Sequence, residues 1–329
     1  MAAKEMRDVF DRTIPAGSIF DPELYRGQLA PRRLGGGLLP FALYSLFSDL
    51  PAQVDLLDRI DGEVIVRGEA SLLWLAEDPA DRVFPLLPLA SHGPLPHTAE
   101  LREILLAALD RLAAFPPGMA LFTEFVRAVA LVELRPDARG RDSQITTSSF
   151  PVLPFCVFLS ERSMRQLPPR SVNPVRSPRF FAENLYHEAI HQALNVHLLL
   201  YDVLSPDYNS ATAPKVDIYW REEEDFSGDV PIPAGNQQWE LDRVLHAVVV
   251  YGHLLEYRLE QLADPTLEPF ERALFTDATR TGLESVRYLM AAMAEHTDCF
   301  TDYGRDVVAS LGAAIDAVAA RAAEVLPAP

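Results

Sequence analysis

The sequence predicts an α+β protein, predominantly helical with a small antiparallel sheet. Three observations carry this. Apolar residues recur at helical spacing through long segments after residue 177. Short runs rich in β-branched and aromatic residues crowd between residues 125 and 159. These strand-like runs come before the helix-rich part, which is the α+β order.

The elements follow in turn. The N-terminal third is punctuated by proline and glycine, with Phe41–Phe47 and Ala52–Ile60 as short helices. Glu63 to Arg67 alternates like a strand. From Thr98 to Phe115, residues Leu101, Ile104, Leu105, Leu109 and Leu112 fall at helical spacing behind Thr98 as N-cap. Phe125 to Leu134 reads as a strand, and so does Ser148 to Leu159. Pro151 and Pro154 make the second an edge strand or a bulge, because proline cannot donate to a ladder. Ser177-Pro178 opens a helix that runs to about Leu204, where Ser205-Pro206 ends it. Residues 205 to 236 form a long loop holding the acidic run Glu222-Glu223-Glu224-Asp225. Trp239–Leu262, Phe270–His296 and Asp302–Leu326 are three further helices. A soft boundary near residue 117 separates an N-terminal α/β accessory region, 1–116, from a helix-rich region, 117–329.

Composition narrows the function classes. With 329 residues, 49% of them hydrophobic, the chain is long enough and apolar enough for a substantial core. Lys plus Arg number 29 against 47 Asp plus Glu, a net charge of −18. That field repels phosphate backbones and anionic lipid, so neither nucleic acid nor a membrane is an expected partner. The start of the chain lacks a secretory h-region, and the greasy stretch Leu34 to Phe47 is too short to span a bilayer. Only Cys156 and Cys299 are present, which excludes a disulfide scaffold and a Cys-rich zinc site. A cytoplasmic location is expected.

The informative residues are His187-Glu188-Ala189-Ile190-His191, an HExxH sequence. On a helix, positions i and i+4 are offset by about 40°, so both imidazoles project from one face and can bind one metal ion. Glu188 lies about 100° round, where a carboxylate can take a proton from a metal-bound water. HExxH is shared with many metallopeptidases, so the helix is zincin-like.

A third ligand is needed. His197 has the spacing of the longer HExxHxxGxxH pattern, but Leu194 stands where that pattern has glycine. On an unbroken helix His197 points about 80° away from His187, so a packing role is preferred for it. His246 and His253 share a face of the Trp239–Leu262 helix, and Glu256 is the other choice. Spacing leaves these three open.

The stretch Asn184 to Leu194, followed later by Arg243-Val-Leu-His-Ala-Val-Val-Val-Tyr-Gly-His, resembles the HExxH-type peptide β-hydroxylases, the HExxH-motif modification proteins of ribosomally made peptide clusters. The resemblance covers mainly residues 177 to 262. It implies an Fe(II) enzyme that uses 2-oxoglutarate and O2 on a residue's β-carbon in a precursor peptide. His187, His191 and His246 would then be the metal ligands, with Glu188 orienting a ligand or a bound water. This departs from the common two-His-one-carboxylate triad. A 2-oxoglutarate site also needs a cation for the distal carboxylate, and Arg243 and Arg221 are the candidates ahead of Arg258 and Arg287. Ser148 to Leu159 is the candidate edge for a peptide added as a strand. The alternative is a cytosolic zinc peptidase with Glu188 as general base and Glu256 or His253 as third ligand. A third reading, a non-catalytic peptide-binding protein, sits poorly with an intact HExxH.

Overall fold

The computed structural model describes residues 62–75, 89, 91–138, 145–150, 155–168, 171–221 and 238–326. The helices expected at Phe41–Phe47 and Ala52–Ile60, and the acidic run Glu222–Asp225, lie outside the described residues.

The alternating segment forms β1 (Gly62–Arg67), paired antiparallel with β2 (Ala70–Leu75). Gly68 turns the chain between them with a φ of 58°, a conformation that costs glycine nothing. After β3 (His92–Pro94), α1 (Ala99–Ala113) starts where Thr98 accepts a hydrogen bond from Leu101 N at 3.2 Å. It buries Leu101, Leu105, Leu109 and Leu112, the expected stripe. A helix not anticipated from the sequence, α2 (Pro116–Phe125), follows, with proline in its first turn.

β4 (Ala128–Leu134) lies at the centre of the main sheet, whose order is β1-β2-β4-β6-β5, with β3 also against β4. β5 is Thr147–Ser149 and β6 is Cys156–Ser160. The outer pairings are antiparallel as expected, but β2, β4 and β6 run parallel to one another. The helices α1 and α2 between β2 and β4 supply the crossover that a parallel pair requires. A second expectation is also corrected. Ser148 to Leu159 is not one edge strand: β5 is the edge and β6 is interior and fully buried. Pro151 and Pro154 fall in the connection between the two, outside the described residues.

Two small ladders follow, β7 (Gln166–Leu167) with β8 (Ser171–Val172), and β9 (Lys215–Asp217) with β10 (Gln238–Glu240). The main helices are α3 (Pro178–Leu200), α4 (Leu241–Ala263), α5 (Pro269–Ala294) and α6 (Asp302–Val325). Ser177 caps α3 by accepting from Arg179 N and Phe180 N, and the helix ends at Leu200, one turn before the expected stop. None of the described helices is long and apolar enough to cross a membrane.

α3 is the axis of the packing. It touches α1, α2, α4 and the sheet edge β5. Phe180, Phe181, Leu185 and Ile190 have no exposed surface. Full burial of such a side chain stabilises by about 1.5–3 kcal/mol, so packing fixes this helix more than its cap does. One apolar core runs from Ile65 to Ala322 and takes in residues on both sides of position 116. A smaller one, including Ala128, Cys156 and Phe158, covers the other face of the sheet. Within the main core Arg258 is fully buried against Glu183, donating from Nε at 3.0 Å, and its Nη1 donates to the Ala278 carbonyl at 2.7 Å.

Candidate metal centre

Each face of α3 meets a different neighbour, and this sorts the motif residues. His187 and His191 face α4. Their Nε2 atoms lie 3.1 Å apart, and His191 Nδ1 lies 3.4 Å from Nδ1 of His246. The His191 and His246 rings are stacked, with centroids 5.6 Å apart. The structure thus brings together the HExxH pair and one of the candidate third ligands.

His253 and His197 are engaged elsewhere. Tyr186 precedes His187 and so points about 100° away. Its hydroxyl lies 2.9 Å from His253 Nδ1, in a buried group with Tyr257 and Phe115. Glu256 lies in the field of Arg321 and Glu260. His197 faces α6, with Nε2 3.2 Å from the Tyr303 hydroxyl, the packing role expected for it.

Glu188 is 1% exposed, with Oε1 3.8 Å from His187 Nε2. Its Oε2 is buried without a hydrogen-bond partner among the described residues. Burial pushes its carboxyl up to about 7, against the pull of the Ser149 and Thr147 hydroxyls on β5. Burial also lowers the imidazoles, His187 and His246 to about 4 and His191 well below its ordinary value. For His187 the buried Arg258 charge adds to the effect, and for His246 Asp242 opposes it. All three are therefore neutral near pH 7, the state in which an imidazole nitrogen binds a metal.

The donor chemistry fits a divalent metal held by three imidazoles. His187 Nδ1, buried with no hydrogen-bond partner among the described residues, fits as well. The rings form a chain, however, because His191 meets its two neighbours through different nitrogens. No three His, Cys, Asp or Glu side chains among the described residues form a ready ligand shell. Joining all three histidines to one ion requires the His191 ring to turn.

The arginines divide differently. Arg243 is exposed, and its guanidinium carbon lies 4.7 Å from the centre of the Trp239 ring. Arg221 ends a short 3-10 turn, Tyr219–Arg221, and its side chain lies outside the described residues. Arg258 is committed to Glu183 in a buried pair. Trp220 and Trp239 pack edge-to-face with centroids 6.1 Å apart.

Sequence reasoning missed Thr147, Ser149 and Asp242, whose side chains act on Glu188 and His246. The first two are anonymous polar residues until β5 is known to lie beside α3. Asp242 carried a legible signal, because it precedes His246 by one helical turn.

Comparison with protein families gives no match for this chain, and comparison with curated proteins gives none.

Proposed function

We propose that the protein is an Fe(II)- and 2-oxoglutarate-dependent oxygenase that hydroxylates the β-carbon of a residue in a precursor peptide. The observation that carries the reading is the approach of His246 to His191 at 3.4 Å, while His253 meets the Tyr186 hydroxyl. It favours the three-histidine set that the resemblance implies.

His187, His191 and His246 would hold the metal, which when bound activates O2 with electrons from 2-oxoglutarate. The protein's part is binding and orientation. Three neutral imidazoles leave coordination positions for the co-substrates. Glu188 stays close to His187, and its unpartnered oxygen is available to accept a hydrogen bond from a bound water. Arg243 lies one turn before His246, over the Trp239 ring, and would be the cation for the distal carboxylate. The peptide would lie along β5, the sheet edge nearest the HExxH helix. A zincin-like role for that helix belongs to this proposal.

The apoprotein loaded with Fe(II) and 2-oxoglutarate without O2 should develop the weak visible charge-transfer band of the chelate. The band should vanish in His187→Ala and in His246→Ala. Full iron occupancy in His246→Ala would refute the ligand assignment.

A second reading, a zinc peptidase, is favoured by one observation: Glu188 is buried beside the HExxH pair, its Oε1 3.8 Å from His187 Nε2, where a general base would stand. Absence of the band together with tight zinc binding would put this reading first. Glu188→Ala should then abolish peptide cleavage.

A further inference from the structure

The main sheet has β5 at one edge, beside α3, and β1 at the other. β1 reads Gly-Glu-Val-Ile-Val-Arg and pairs with β2 in an unbroken register. It carries no lysine, proline or bulge of the kind that blunts an edge. Leu73 on β2, opposite Val64, donates its N–H to the Arg127 carbonyl at 2.8 Å, away from β1. Val64 and Leu73 are therefore a non-hydrogen-bonded pair, and Val64 turns its own N–H and C=O outward. Val66, two residues on, does the same. Both valine side chains are uncovered, 64% and 65% exposed, although Ile65 between them is 1% exposed. Glu63 and Arg67 share the face of Ile65. Glu63 accepts from Arg102 Nε on α1 at 2.6 Å, and Arg67 Nε donates to Asp110 on α1 at 2.6 Å. All four charged side chains stay partly exposed.

We propose that β1 is the interface of a homodimer, pairing antiparallel with β1 of a second copy about a two-fold axis through Ile65. The strand is complementary to itself in that register. Glu63 and Arg67 are equidistant from Ile65, so each Glu63 faces an Arg67 of the second copy, and each Val64 faces a Val66. The backbone agrees, because the two residues with outward main-chain groups then fall opposite each other as hydrogen-bonded pairs. On one face the valines of both copies join Leu73 in an apolar strip. On the other, Arg102, Glu63, Arg67 and Asp110 alternate in sign across the axis. The two β5 edges lie at the outer ends of the joined sheet, so the pairing is independent of the metal reading. A six-residue edge buries less than the roughly 1,600 Å² of a standard interface, so the dimer is a weak one.

Sedimentation velocity of the full chain tests this between about 1 and 200 µM, at about 0.15 M salt, where the net charge is screened beyond about 8 Å. The wild type should shift from monomer toward dimer as concentration rises. Val66→Lys puts a charge on the exposed edge, and should stay monomeric with the thermal midpoint of dilute wild type. Oxidation reads the register. A mixture of Val64→Cys and Val66→Cys chains should form a disulfide-linked dimer. Either variant alone should stay at the wild-type level, because identical positions lie on a diagonal too long for a disulfide. A wild type that is monomeric throughout overturns the proposal. If its Val64 and Val66 amides are nevertheless protected from hydrogen exchange, another segment of the same chain holds the edge. Dimerisation of Val66→Lys equal to wild type also overturns it, by placing the interface elsewhere. A cross-link as strong in either cysteine variant alone overturns the pairing about Ile65.

Discussion

Arg258 carries a full positive charge with no exposed surface. Glu183 and two main-chain carbonyls surround it, those of Ala278 and Pro168. Its replacement by alanine would leave the Glu183 carboxylate buried and unpaired, at a cost of about 3–5 kcal/mol. Urea denaturation of Arg258→Ala should read a loss of that size. The double variant Glu183→Leu with Arg258→Met should recover most of it, because the buried charge is then gone. A loss under about 1 kcal/mol in the single variant would mean that water reaches the pair. The sequence did not reveal this partnership, since Glu183 and Arg258 lie 75 residues apart. By contrast His187, Glu188 and His191 were readable, because one helical turn relates them. His246 was readable only as one of three. Which of His246 and His253 approaches the HExxH pair depends on how α4 is rotated against α3, and no local pattern encodes that rotation.

The helices were the most legible elements, since caps and apolar spacing are local signals. Thr98 and Ser177 both cap as expected. Ser177 does more than its position in the chain suggests, because its hydroxyl also donates to Glu271 on α5. Ser177→Ala should cost about 1–2 kcal/mol, read as a lower thermal midpoint with metal affinity unchanged. A change in metal affinity would show that the start of α3 is coupled to the histidines. Strands were less legible. Ser148 to Leu159 reads as one apolar run, yet it holds an edge strand and an interior strand that differ in burial and partners. Only the long-range pairing of β6 with β4 distinguishes them, and no local pattern encodes it. The parallel centre of the sheet escaped for the same reason. It depends on α2, whose ten residues look like the edge of a loop because they begin Pro-Pro-Gly.

For the protein as an object that titrates, the buried histidines dominate. Burial lowers His187 and His246 to about 4, and His197 and His253 to about 3, from an ordinary 6.5. Each binds a proton more readily when unfolded, so its contribution to stability is present above pH 6.5 and is lost as pH falls toward 4. Glu188 has the opposite sign. Its carboxyl is raised to about 7, so its contribution is full below about pH 4.5 and is lost as pH rises through 7. The lowered imidazoles, His191 among them, oppose the carboxyls of Glu188, Glu183 and Glu256, which burial raises, each group contributing up to about 1.4 kcal/mol per pH unit in its window. The apoprotein should therefore unfold at lower urea at pH 5 than at pH 7. Equal midpoints would mean that the imidazoles stay in contact with solvent. The His191–His246 contact has a further consequence, for synthesis. Chains emerge N-terminus first, so α3 leaves the ribosome before α4 exists. On the three-histidine proposal, a nascent chain offers two histidines until α4 has emerged and docked, and a chain stopped before Leu241 should hold Fe(II) no better than His246→Ala.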